Sequence, residues 1–185
     1  MMNRPEIDII NGCIKGDRRM QKALYDLFSK KLLVVCLRYS KLQQEAEDIL
    51  QEAFVKIYAS IKDFRQDSSL WFWMKRIVIN TALNYHRSKL FLYPMVDVEL
   101  MKDDFHSDVS LSGFHFKELM EMIQELPDGC QVIFNLYAIE GYKHQEISKM
   151  LEISEGTSKS QYARARQLLI NKIQETKGVE YGKIK

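Results

Sequence analysis

Residues 145–169 read QEISKMLEISEGTSKSQYARARQLL, and the reading of the fold turns on that stretch. Ile147, Met150 and Leu151 recur at helical spacing, Glu152-Ile153 interrupts them as a turn, and Ser154 opens a longer helix running to about Thr176. Ala165, Leu168 and Leu169 seat that second helix, so the pair forms a helix-turn-helix pattern. What remains is predicted to face outward: Thr157, Ser158, Lys159, Gln161, Tyr162, Arg164 and Arg166. These side chains can meet phosphates and base edges, and no carboxylate stands among them, as a helix in the major groove of a polyanionic duplex requires. Glu155 falls in the first turn, where the helix dipole favours an anion. The alternative is an ordinary helical hairpin with a basic outer face.

Outward from this stretch the same period continues. Leu24, Leu27, Phe28, Leu32, Val35 and Tyr39 form one apolar stripe, and Ile49, Leu50, Ala53, Phe54, Ile57, Tyr58 and Ile61 form another. A third helix starts after the capping cluster Asp67-Ser68-Ser69 and carries Trp73, Ile77, Asn80, Ala82 and Tyr85, so three helices fill the chain to about residue 90. Two more helices precede the quoted stretch, one with Phe116, Leu119, Met120 and Ile123, the other with Val132, Ile133, Leu136 and Tyr137, separated by Pro127-Asp128-Gly129. No alternating strand pattern occurs. With 8 Gly and 3 Pro in 185 residues, the chain lacks the turn-makers a sandwich or barrel needs. Pro94 and the aperiodic run to about 115 read as a linker, and residues from Gly178 read as a frayed tail. The expectation is an all-α chain of two small helical domains joined by a linker, the C-terminal one a helix-turn-helix.

The charges nearly balance, 27 Lys+Arg against 25 Asp+Glu, but their distribution does not. Ser68 to Val96 holds no acidic residue while Lys75, Arg76, Arg87 and Lys89 occur, and Thr157 to Lys172 is likewise free of acids. Between them Asp97, Glu99, Asp103, Asp104 and Asp108 stand against Lys102, so an acidic connector joins two basic regions. Within the first basic region Trp71, Phe72 and Trp73 are consecutive. Neighbours on a helix lie about 100° apart, so at least one ring must reach the surface, where rings beside cations suit unstacked bases. Trp73 is read as a core anchor.

Enzymatic readings find little support. Asp48 and Glu52 are paired carboxylates at i,i+4, but they lack a nearby His, Cys or glycine-rich loop, so a polar docking face is the better reading. His86, His106, His115 and His144 show no ligand spacing with one another or with Cys13, Cys36 and Cys130. The cysteines read as reduced, buried thiols. No metal, cofactor, nucleophile motif or phosphate loop is expected. No window approaches the roughly 18 apolar residues of a membrane span, so the expected location is the cytoplasm.

Several motifs in order now resemble the extracytoplasmic-function group of bacterial RNA polymerase sigma factors, within the sigma-70 family. They are Asp48-Ile49-Leu50-Gln51-Glu52-Ala53-Phe54, Phe64-Arg65-Gln66-Asp67-Ser68-Ser69 with Trp73, Arg76, Asn80 and Asn84, then Leu126-Pro127, and last Ile153 to Thr157 with Lys159-Ser160 and Ala163 to Arg166. The resemblance covers about residues 10–175 and implies a non-catalytic initiation factor. Region two, residues 1–95, would bind the clamp of the largest polymerase subunit through Asp48, Ile49, Gln51, Glu52 and Phe54. It would open the minus-ten element with Phe64, Arg65, Ser68, Ser69, Lys75, Arg76, Asn80, Asn84, Arg87 and Lys89. Residues 96–115 would thread near the RNA exit path. Region four, residues 116–177, would read the minus-thirty-five duplex through Thr157, Ser158, Lys159, Gln161, Tyr162, Arg164 and Arg166 and touch the polymerase flap, leaving 178–185 as a tail. An anti-sigma factor is a further candidate partner. The chain departs from the family pattern at Ser158 and Gln161, often Val and Arg there, at Lys143 in place of a Ser cap, and at Trp71 and Phe72. A different helix-turn-helix regulator with a helical sensing domain is the rival reading.

Overall fold

The computed structural model describes residues 4–90 and 116–182, with side chains described over 6–85 and 118–175. Among these are eight α-helices and no strand. They are α1 (Arg4–Ile14), α2 (Arg18–Tyr39), α3 (Gln43–Ser60) and α4 (Leu70–Leu90), then α5 (Phe116–Gln124), α6 (Asp128–Phe134), α7 (His144–Leu151) and α8 (Glu155–Gly182). The chain divides into two compact units, Met1–His86 and Arg87–Lys185. The expected linker, with its acidic run, lies outside the described residues.

In the first unit the expected stripes face one core, except that Leu27 is exposed. Leu24, Leu32, Val35 and Tyr39 of α2 meet Ala46, Ile49, Leu50 and Ile57 of α3, all buried, and Met74, Val78 and Ala82 of α4 are buried with them. Local signals set the helix ends. Asp17 Oδ1 accepts from the Arg19 N–H at 2.8 Å to cap α2, and Glu45 accepts from the Lys41 N–H at 3.1 Å ahead of α3. Gly16 makes the turn before α2 at φ 74°, a value that L side chains adopt only with strain. The sequence reading missed α1, which packs Ile10 and Cys13 inward. Its approach to α2 is close, because a Cβ at Gly12 would lie 2.2 Å from Met20 Cγ.

The second unit gathers α5, α6 and α7 against α8. Leu126, Cys130, Ala165 and Leu169 form its centre, with Met122, Phe134 and Leu168 against them, and Lys172 of α8 pairs with Glu125. α6 starts at Asp128, earlier than the apolar period suggested, with Pro127 at its N-cap accepting from the Gln131 N–H at 2.8 Å. Its end widens into a π-turn over Asn135–Ile139. α8 continues to Gly182, past Gly178 where the tail was expected to begin, and residues 183–185 lie outside the described residues. The three cysteines are free and buried, and burial pushes the Cys36 thiol up to about 12.

Candidate nucleic-acid interface

The helix-turn-helix is built at α7 and α8. Lys143 stands at the N-cap of α7, and the Glu146 carboxylate accepts from its backbone N–H at 2.7 Å, so a reach-back bond serves where a Ser cap was missing. α7 ends at Glu152, whose φ of 57° and ψ of 42° supply the left-handed residue such a turn needs without glycine. Ser154 Oγ then accepts from the Thr157 N–H at 2.9 Å and caps α8.

The roll of α8 differs from the expectation. Thr157, Ser158 and Gln161 face the core; Ser158 is 0% and Gln161 4% exposed. Ser158 Oγ lies 2.9 Å from His144 Nδ1 of α7, and Cys130 Sγ donates to Gln161 Oε1 at 3.0 Å from α6. Ser158 Oγ and Gln161 Oε1 therefore each have a partner, which offsets the desolvation cost that would have kept them outside. Tyr162 is half-buried, its ring 6.1 Å from Phe134 and 4.5 Å from Tyr137, and burial pushes its phenol up. The outward cations are Lys159 and Arg164, with Arg166 half-buried. Lys159 Nζ lies 2.9 Å from Glu155 Oε1, and that hydrogen bond holds the exposed Glu155 carboxyl below its ordinary value. His144 stacks on Tyr137 at 4.2 Å, and burial first, then Lys159, lowers its pKa, with Glu155 opposing.

On α4 the outward positions are Phe72, Arg76, Asn80 and Asn84, one turn apart on a single stripe. The core side of the same helix holds buried Thr81, to which Lys56 Nζ of α3 reaches at 3.3 Å. Of the three adjacent aromatics, Phe72 is the exposed one at 58%. Trp71 lies 6.5 Å from Phe28 and Trp73 5.2 Å from Phe64. Phe64 is thus packed inward rather than open to a base, a second correction to the expected site. Ahead of α4 the loop turns at Gln66, φ 61°, with an exposed Arg65–Asp67 pair at 3.3 Å. Ser68 and Ser69 are exposed, and Ser69 caps the helix, its Oγ 3.4 Å from the Phe72 N–H. The side chains of Arg87 and Lys89 lie outside the described residues.

On α3, Asp48, Gln51 and Glu52 are exposed, but Ile49 and Phe54 are buried on the opposite face. Both therefore support that face instead of forming part of it. Val55, 68% exposed, completes the outward stripe at i+7 from Asp48 and was missed, although the spacing could have found it. Glu52 pairs with Lys56 at 2.6 Å. Among the described residues, no group of three His, Cys, Asp or Glu could hold a metal ion, and no helix is long and apolar enough to cross a membrane.

Comparison with known proteins follows this geometry. The chain matches Sigma-70 region 2 over residues 24–90 and Sigma-70, region 4 over residues 116–169. The RNA polymerase sigma-H factor of Pseudomonas aeruginosa is 30% identical over 172 residues, covering 86% of this chain and 89% of that protein. The ECF RNA polymerase sigma-E factor of Haemophilus influenzae is 28% identical over 176 residues, covering 86% and 90%. The sigma factor RpoE, solved in complex with the anti-sigma factor NepR from Bartonella quintana, aligns with a TM-score of 0.52 at 19% identity. That alignment covers 83% of this chain and 96% of that one, and the likeness is one of fold.

Proposed function

Because the chain belongs to the sigma-70 family, in its extracytoplasmic-function group, we propose how its residues divide the work of an initiation factor. As a sigma factor it binds core RNA polymerase and directs transcription from promoter DNA. Region two, residues 1–95, docks on the polymerase clamp through the outward stripe of α3, Asp48, Gln51 and Glu52, with Val55 as its apolar member. Its α4 stripe, Arg76, Asn80 and Asn84, together with Lys75 and the loop bearing Arg65, Ser68 and Ser69, holds the opened minus-ten strand, and Arg87 and Lys89 extend the cationic run. Phe64 supports that surface by packing on Trp73. Residues 96–115 link the regions. In region four, residues 116–177, Lys159, Arg164 and Arg166 meet the minus-thirty-five duplex. Catalysis of RNA synthesis is left to the polymerase, and the factor works in the cytoplasm. An anti-sigma factor is a further partner of this reading, as for the Bartonella quintana neighbour.

The observation that carries the reading is the pairing of two surfaces of different chemistry on one chain. A polar stripe beside an exposed ring suits single strands, and a capped helix-turn-helix with outward cations suits duplex. Run-off transcription with purified core polymerase tests it. Transcripts that require this chain are expected, and transcripts identical with core alone would refute it.

A further inference from the structure

Glu155 has no role in the division of work above, yet it opens α8, and the N-terminal residues of the second helix are those that meet base edges in the major groove. Burial removes most of its neighbours from that task. Among the described residues of the first two turns of α8, Thr157, Ser158, Ser160 and Gln161 are buried, and Tyr162 is half-buried against Phe134 and Tyr137. Gly156 has no side chain, and Ser154 Oγ just ahead of the helix is engaged as its cap. Glu155 and Lys159 are left as the exposed side chains of these turns, four residues apart on one face and joined at 2.9 Å. An isolated acid would be repelled by the phosphates of a duplex. Lys159 offsets that charge through Oε1, and its hydrogen bond keeps the Glu155 carboxyl ionised and therefore an acceptor only.

We propose that Glu155 is a specificity-determining residue, its second carboxylate oxygen accepting from the N4 amino group of a cytosine in the upstream duplex while Lys159 meets an adjoining phosphate. This rests on the sigma-factor reading and deepens it by naming a base. The edges that bases show in the major groove select cytosine. Guanine offers the acceptors N7 and O6 and thymine the acceptor O4, all of which repel a carboxylate. Adenine offers a donor at N6, but its own N7 acceptor stands beside that donor. Cytosine shows the N4 donor with no acceptor on the same edge, so it alone meets the carboxylate without a repulsive neighbour on its own ring. The remaining cations of α8, Arg164 and Arg166, add hold on the duplex, and Glu155 adds a letter to the promoter sequence.

The test uses holoenzyme assembled from core polymerase and the full chain, which selects binding sites from duplex randomised across the upstream element. Wild type is expected to return a motif in which one position specifies cytosine, favoured over the next base by roughly 5- to 150-fold. Glu155→Gln keeps the side-chain size and replaces one acceptor by a donor. It should change that position from cytosine to adenine, the base whose N6 and N7 suit an amide. Glu155→Ala should make the position degenerate, with the other positions unaltered in both variants. Identical motifs from wild type and both variants would overturn the proposal. So would a uniform gain in affinity for every duplex, the mark of a solvated acid repelled by phosphates, or a change spread over several positions, the mark of a displaced helix. Failure of the wild-type holoenzyme to give promoter-specific run-off would instead refute the sigma-factor reading itself.

Discussion

Gln161 Oε1 accepts a hydrogen bond from Cys130 Sγ at 3.0 Å, which turns a polar residue of α8 inward, onto α6. Gln161→Leu keeps most of the volume and removes the bond. Stability is expected to fall by about 1 kcal/mol in urea melts, while selection on randomised upstream elements returns the wild-type motif. A changed motif at unchanged stability would put Gln161 back in the groove.

Lys159 faces outward and pairs with an exposed acid on its own helix. Lys159→Ala should weaken region-four binding to every duplex alike and lower the salt slope by about one counterion. Filter binding or anisotropy across 50–200 mM salt measures this. An unaltered slope would remove Lys159 from the phosphate contacts.

The α3 stripe gives a prediction free of folding effects, because Gln51, Glu52 and Val55 are all exposed. Gln51→Ala with Glu52→Ala, and separately Val55→Asp, should each change stability by no more than about 0.5 kcal/mol. Loss of a true anchor costs about 2 kcal/mol or more of binding. Sedimentation titration against core polymerase reads this directly, and unaltered affinity in both variants moves the docking face elsewhere.

Asn80 points outward from α4 while its neighbour Thr81 is buried. Asn80→Ala should leave the thermal melt in place and slow promoter opening roughly fivefold, the equivalent of one hydrogen bond at about 1 kcal/mol. Permanganate reactivity of the minus-ten region is the readout, and normal opening would make Asn80 a bystander.

His144 couples the helix-turn-helix to pH. Burial and Lys159 lower its folded pKa, so the folded state binds fewer protons than the unfolded chain. Its contribution to stability is whole above the unfolded value, about 6.5, and declines as pH falls through the lower folded value. Thermal melts from pH 7.5 down to 5.5 should show wild type losing more stability than His144→Gln. Equal losses would mean that His144 carries no part of the slope.

The stripes of α2 and α3, the capping serines of α4 and α8 and the order of the helix-turn-helix were legible in residues 24–169 because each depends on neighbours within a turn or two. The same spacing argument required one exposed ring among Trp71, Phe72 and Trp73 without saying which. That choice rested on Phe28 and Phe64, which take the two tryptophans. The roll of α8 was likewise beyond the sequence. Thr157, Ser158 and Gln161 are polar and so were placed outside, but His144 and Cys130, distant in the chain, supply the bonds that make burial of Ser158 and Gln161 affordable. Sequence by itself determined the helices from α2 onward, to within a few residues at their ends, and which residues are charged; tertiary structure alone decided which polar side chains face inward, because satisfying a buried polar group takes a partner that only the folded chain brings near.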